Sequence, residues 1–142
     1  MKISFIVPGN PQGKARPRVC RINGKSITYT PKKTVEYEKL IRASYSSVSK
    51  VKFEKNTPLE IDILAFFSLP KSSTKKFKND AVIGRFLPCK KPDCDNIIKV
   101  IFDALNGVAY YDDSQICKVY FEKRYDDNPC VHVEIKDVLE EK

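Results

Sequence analysis

The chain has a single histidine, His132, among its 142 residues. That count excludes a histidine-based nucleophilic triad and any multi-histidine metal site, and leaves His132 to be read as an ordinary polar residue on the outer face of a strand. Cysteine is scarce in a different sense. Cys20, Cys89, Cys94, Cys117 and Cys130 are odd in number and follow no framework spacing, which argues for reduced thiols and against a disulfide scaffold. The four residues between Cys89 and Cys94 do not make a zinc-finger pair, so a structural zinc site is not expected. No apolar run approaches the roughly 18 residues that a membrane span needs. Met1-Lys2-Ile3-Ser4 opens directly into strand-like alternation with no signal-peptide pattern, so a cytoplasmic protein without a membrane partner is expected. No repeat, linker or low-complexity segment interrupts the chain, and at this length residues 1–142 are read as one domain.

Acidic residues are missing from the first 35 positions, which hold eight lysines and arginines: Lys2, Lys14, Arg16, Arg18, Arg21, Lys25, Lys32 and Lys33. The rest of the chain carries eighteen charges of each sign, so the whole formal excess of +8 is N-terminal. Basic runs are commonly just solvated faces. Here they fall on a loop, Lys14-Ala15-Arg16-Pro17-Arg18, that Pro17 keeps from being helical. A hairpin follows, signalled by Asn23-Gly24 between two strand-like runs. A polyanion partner is the expectation, with Lys14, Arg16, Arg18 and Arg21 as candidate nucleic-acid contacts. A second basic stretch, residues 71–92, has seven basic residues against the single acid Asp80. It adds Lys75, Lys76 and Lys91 to those candidates, with Ser72-Ser73-Thr74 capping a short helix.

The remaining elements read as follows. Ile3, Phe5 and Val7 alternate as a first buried strand. Thr30-Pro31 starts a helix as N-cap and N1, with Tyr37, Leu40, Ile41, Ser44 and Tyr45 on one stripe; the two tyrosines are read as core, not as base-stacking platforms. Leu59, Ile61, Ile63, Ala65 and Phe67 share one face of a strand that Pro70 stops. Residues 108–111 read as a short strand. Two more strands cover residues 116–125 and 130–135, the first with Cys117, Val119 and Phe121 inward, and residues 136–142 as a frayed tail. The order implies an α+β domain, a mixed β-sheet packed against two main helices.

The centre of the chain is Lys91-Pro92-Asp93-Cys94-Asp95-Asn96. Pro92 biases Lys91 towards extended geometry, and from Asn96 the apolar residues Ile97, Ile98, Ile101, Phe102 and Leu105 fall at helical spacing, closed by Gly107. Asp93 and Asp95, two apart on an extended segment, would point the same way. Lys99 lies one turn beyond Asp95, with Asp103 in pairing position at i+4. Two close carboxylates repel by roughly 1 kcal/mol at 4 Å in water. Hard oxygen donors without clustered histidine or thiolate suit Mg²⁺ or Mn²⁺. An N-cap would explain one aspartate alone, and leaves the second, the lysine and the later Asp112-Asp113 unexplained.

These residues, with Phe102-Asp103-Ala104-Leu105-Asn106-Gly107 and Asp112-Asp113-Ser114-Gln115, resemble the signature of the RusA family of Holliday junction resolvases. The N-terminal Pro-Gly-x-Pro-x-Gly-Lys-x-Arg-Pro-Arg pattern and the later Tyr-Thr-Pro are similar to those of its phage-type members. The resemblance implies a RusA-like fold and a homodimeric, Mg²⁺-dependent endonuclease, often phage- or prophage-encoded, that cuts four-way DNA junctions by paired symmetric nicks in recombination and repair. It assigns the essential carboxylates to Asp93, Asp95 and Asp113 and the catalytic lysine to Lys99; Asn96 and Asp112 are left as neighbours of the site. Cys94 stands where the family commonly has an apolar residue. The expectation is that the three aspartates meet at one point beside a cationic rim. Its rivals are a branched-DNA-binding module whose carboxylates only cap helices, a metal nuclease of broader structure specificity and, more weakly, an Asp-x-Asp nucleotide-sugar transferase.

Overall fold

A computed structural model describes residues 1–138. Period-two alternation produces the strands. In β1 (Lys2–Pro8) Ile3, Phe5 and Val7 are buried, in β4 (Leu59–Ser68) Leu59, Ile61, Ile63, Ala65 and Phe67, and in β6 (Cys130–Asp137) Val131, Val133 and Ile135. With β5 (Ile116–Asp126) they form a four-stranded mixed sheet of order β1-β6-β4-β5, in which only β4 and β5 run parallel. The inward residues pack on two helices, α1 (Lys32–Val48) through Tyr37, Ile41 and Tyr45, and α3 (Cys94–Leu105) through Ile97, Val100, Ile101, Ala104 and Leu105. A short α2 (Lys75–Val82) is capped as expected by Thr74, whose hydroxyl accepts from the Phe77 N–H. The architecture is α+β, as the sequence implies.

Outside this body stands the hairpin of β2 (Arg18–Ile22) and β3 (Lys25–Tyr29), a separate two-stranded sheet. Asn23 and Gly24 both take positive φ at its tip, the geometry the Asn-Gly pair favours. His132 lies exposed on the sheet face away from the helices, edge-on to Phe66.

Several expectations are corrected. Pro31, not Thr30, occupies the N-cap of α1 and provides no side-chain cap. Leu40 is exposed to 37%, and on α3 Val100 and Ala104 are buried while Ile98 and Phe102 are only partly so, because the stripe facing the sheet is rotated from the most apolar side chains. Residues 108–111 form a turn with one isolated bridge, Asn106 to Tyr110, and no strand. Cys117 and Val119 are exposed, since β5 is an edge strand whose first half no helix covers. Lys136 and Asp137 belong to β6, and Val138 donates to the Pro58 carbonyl; residues 139–142 of the expected frayed tail lie outside the described residues.

The consequence for function is topological. Parallel strands β4 and β5 require a crossover, and α3 is its return helix. It starts where β4 and β5 end and finishes where they begin: Lys123, late in β5, donates to the Lys90 carbonyl at 2.8 Å, while Ala109, just past α3, accepts from Phe53, ahead of β4, at 2.8 Å.

Candidate active site

Asp93 is the N-cap residue of α3, and its carboxylate makes no capping hydrogen bond. The capping explanation for this aspartate therefore finds no support in its geometry. The helix begins at Cys94, two residues earlier than the sequence suggests, so Asp95 sits in the first helical turn and its Oδ1 accepts from the Asn96 N–H at 3.0 Å. Both carboxylates are exposed at the positive end of the helix, which favours them. Extended i, i+2 alignment does not apply here, because successive residues on a helix turn by about 100°. Asn96 is exposed beside them, and its carbonyl accepts from the Lys14 N–H at 2.9 Å.

Lys99 is exposed and bonds forward to Asp103, Nζ to Oδ1 2.9 Å, not back towards Asp95. Asp103, about 20% exposed, also takes the Lys14 ammonium at 3.3 Å on its other oxygen, and Lys14 reaches Glu38 of α1 at 2.9 Å. Burial works against the charge of Lys14, but hydrogen bonds to Glu38 and Asp103 and their negative charge outweigh it and raise its pKa. Lys14, a nucleic-acid candidate in the sequence, is thus a strut joining the N-terminal loop, α1 and α3. Gly13 beside it has no room for a side chain: a Cβ would lie 2.9 Å from the Asn96 Cβ and 3.0 Å from the Pro92 Cβ. Arg16, Arg18, Arg21, Lys75, Lys76 and Lys91 are all exposed. An open cleft of about 410 Å³ beside Asp93 is lined by Gln12, Lys14, Lys33, Lys91 and Asn96.

The second acidic pair is elsewhere. Asp113 opens a single 3-10 turn (Asp113–Gln115) before β5, and Asn106, the C-cap residue of α3, clasps it: the Asp113 N–H donates to Asn106 Oδ1 at 2.9 Å, and Asn106 Nδ2 donates to Asp113 Oδ2 at 3.4 Å. Asp112 makes the turn, accepting from the Ser114 hydroxyl and donating its N–H to Gln115 Oε1 at 3.2 Å. Gln115 in turn ties this loop to the Glu54 and Thr57 carbonyls at 2.8 and 3.2 Å. Lys52 and Lys55 lie over the neighbouring Tyr111 ring, 3.9 and 5.2 Å from its centre. Buried Tyr110 donates to the Phe102 carbonyl, and burial, with the charges of Asp113, Asp103 and Asp112, pushes its hydroxyl pKa up.

Asp93 and Asp113 thus stand at opposite ends of α3, whose twelve residues are about 18 Å long. Among the described residues no three acidic, histidine or cysteine side chains form a group able to hold a metal. The convergence expected from the sequence does not occur within one chain. Asn106, Lys52 and Lys55 were not singled out in the sequence as site residues. Asn106 was visible only as a polar residue at the helix end, and no spacing ties Lys52 to Tyr111.

The family described as Endodeoxyribonuclease RusA matches residues 8–136. A Bacillus subtilis (strain 168) protein described as uncharacterized protein YqaN is 36% identical over 138 residues, covering 96% of each chain. The crossover junction endodeoxyribonuclease rusA of Lactococcus phage r1t is 27% identical over 139 residues, covering 96% of this chain and 98% of its own.

Two stability measurements test the N-terminal clamp. Lys14→Met should lower the free energy of urea unfolding by about 1–3 kcal/mol, the cost of leaving charged partners unpaired, while exposed Arg16→Ala changes it by less than about 0.5 kcal/mol. Gly13→Ala, by overpacking against Asn96 and Pro92, should cost about 1–3 kcal/mol in the same assay.

Proposed function

This chain belongs to the RusA family of endodeoxyribonucleases, and we propose that it resolves four-way DNA junctions as a Mg²⁺-dependent homodimer, cutting two strands symmetrically, with each active site assembled from both protomers. The observation that carries the two-chain site is the placement of Asp113 on Asn106 at one end of α3, with Asp93 and Asp95 at the other. The donor set fits a hard divalent cation, since it offers carboxylate oxygens and neither imidazole nor a thiolate pair. It fits only as two half-sites: Asp93 and Asp95 of one protomer, and Asp113 of the partner subunit. Mn²⁺ suits the same donors. A cation bound there supplies a polarised scissile phosphate and a water of lowered pKa.

The chain's own groups do the rest. Lys99, anchored by Asp103, presents its ammonium one turn from Asp95 to the charge that builds on the phosphate. Asn106 and the Asp112–Gln115 turn hold the Asp113 backbone so that its carboxylate is presented in a fixed place. Lys33 and Lys91 at the cleft, with Arg16, Arg18 and Arg21 on the loop and hairpin and Lys75 and Lys76 on α2, offset the acidic centre's repulsion of DNA and bind phosphates. The four-way junction has approximate two-fold symmetry, which a C₂ dimer with two sites matches. Residues 1–142 act as one RusA-like domain.

Complementation tests the reading directly. Asp93→Asn and Asp113→Asn chains should each be inactive alone on a four-way junction with Mg²⁺. Mixed and allowed to exchange, they form heterodimers with one intact site and one doubly altered site, so single-strand nicking returns. Sites built within one chain would give no recovery. Linear duplex cut as fast as junctions would overturn the junction assignment.

Binding is tested separately. Arg16→Ala or Arg18→Ala should weaken junction binding and reduce the slope of log K against log salt by about 1 for each lost phosphate contact. Slopes equal to wild type would take the basic loop out of the DNA path.

A further inference from the structure

Tyr111 is 47% exposed and stands two residues before Asp113, at the end of α3 away from the basic loop. The connector between α1 and β4 brings two lysines over its ring, Lys52 at 3.9 Å and Lys55 at 5.2 Å from the centre. That connector is held firmly. Tyr45 donates to the Val51 carbonyl, buried Phe53 donates its N–H to the Ala109 carbonyl, and Gln115 donates to the carbonyls of Glu54 and Thr57. Gln115 also accepts from the Tyr111 N–H at 2.9 Å, so one side-chain amide sets the ring and the lysines in register with the turn that carries Asp113. An open pocket of about 350 Å³ lies here, lined by Lys55, Asn56, Tyr111, Asp112, Ser114 and Gln115, within the size range of small-ligand sites.

The fold makes little use of these groups. Tyr111, Lys52 and Lys55 are all exposed, and among the described residues neither ammonium is paired with a carboxylate. An aromatic face with cationic groups beside it is the combination that holds a base and its phosphates in unpaired nucleic acid.

We propose that this pocket takes one nucleotide of the strand being cut, its base stacked on Tyr111 and its phosphates held by Lys52 and Lys55. This rests on the reading of Asp113 as part of an active site on DNA, and adds a group that recognises an unstacked base beside it. Within a duplex both faces of a base are covered by its neighbours, so the ring finds nothing to stack on. At a branch point stacking is interrupted, and turning a base out costs least where it is already unpaired. The resting lysines do not bar the base. An ammonium over an exposed ring is held more weakly than one hydrogen-bonded to a phosphate, so an arriving strand draws both from the ring face onto its backbone. The Asp112 carboxylate repels phosphate, which leaves the base, not the backbone, to enter the pocket.

Photo-cross-linking of the full chain tests the contact. A four-way junction carrying 5-iododeoxyuridine at successive positions around the branch point, kept in EDTA so that no strand is cut, should give under near-ultraviolet light an adduct that mass spectrometry places on Tyr111. No adduct at Tyr111 from any position overturns the base site. Tyr111→Leu, which keeps bulk at an exposed position, should bind junctions about 5- to 100-fold more weakly, the range that one lost base stack gives. Tyr111→Phe should bind like wild type, and linear duplex should bind equally to all three. Undiminished junction affinity in Tyr111→Leu, or a loss shared equally with duplex, overturns the proposal. Lys52→Ala combined with Lys55→Ala should reduce the slope of log K against log salt by about 1.5 to 2; an unchanged slope overturns the phosphate contacts. Asp113→Asn separates this inference from the reading beneath it. That variant should still cross-link through Tyr111 while cutting nothing, and if it cuts like wild type the active-site reading is what fails.

Discussion

The constraint on which the rest depends is the run of α3 between two parallel strands. A crossover helix must return against the strands it connects, so its two ends lie at opposite ends of those strands. The sequence places acidic residues at both ends: Asp93 and Asp95 at the start, and Asp113 clasped to Asn106 past the finish. Twelve helical residues put about 18 Å between them, a distance no carboxylate side chain spans. The fold is rigid where this matters, because the inward face of α3 is buried from Ile97 to Leu105 against the sheet. Bringing the halves together by bending one chain would mean exposing that face, whereas the proposed second copy would supply the missing half with the fold intact.

Asp103 sits between these ends and links them to the N-terminal loop. It accepts from Lys99 on one oxygen and Lys14 on the other, and Lys14 is shared with Glu38 of α1. One carboxylate between two ammonium groups offsets the repulsion they would feel. The arrangement fixes the basic loop to α3, and Gly13 permits the close approach that the Lys14 N–H to Asn96 carbonyl bond requires. The loop that carries Arg16 and Arg18 is thereby held in fixed relation to Lys99 and Asp95.

Much of this was legible in the sequence. The three buried strands were marked by alternation, the hairpin by Asn23-Gly24, the end of α3 by Gly107 and the Lys99–Asp103 pair by its spacing, because each depends on neighbours within a few residues. The motif from Lys91 to Asn96 and the Asp112-Asp113 pair identified the family. What was not legible depends on contacts far apart in the chain. Lys14 looked like a phosphate ligand until Glu38 and Asp103 were brought to it, and Cys117 and Val119 looked inward because alternation cannot reveal that an edge strand lacks a covering helix. The meeting of Asp93, Asp95 and Asp113 was inferred from chemistry without topology. The chemistry asks for a common centre, and the crossover forbids it within one chain.

A divided site also changes what a lone protomer can do. On the proposed reading, Asp93 and Asp95 by themselves would offer a divalent cation few protein oxygens, so a lone protomer would hold it weakly. Cation affinity, and with it hydrolysis, would then be linked by mass action to association of the two chains. A monomer carries the same basic surface, with a formal charge of +8, and on the proposed reading would still attract DNA phosphates. The proposed two-chain site would thereby separate binding from cutting: the first would follow from charge that each chain possesses, the second from a two-fold arrangement that neither possesses alone. For a substrate cut twice and symmetrically, this would tie competence at one strand to the presence of the partner that serves the other.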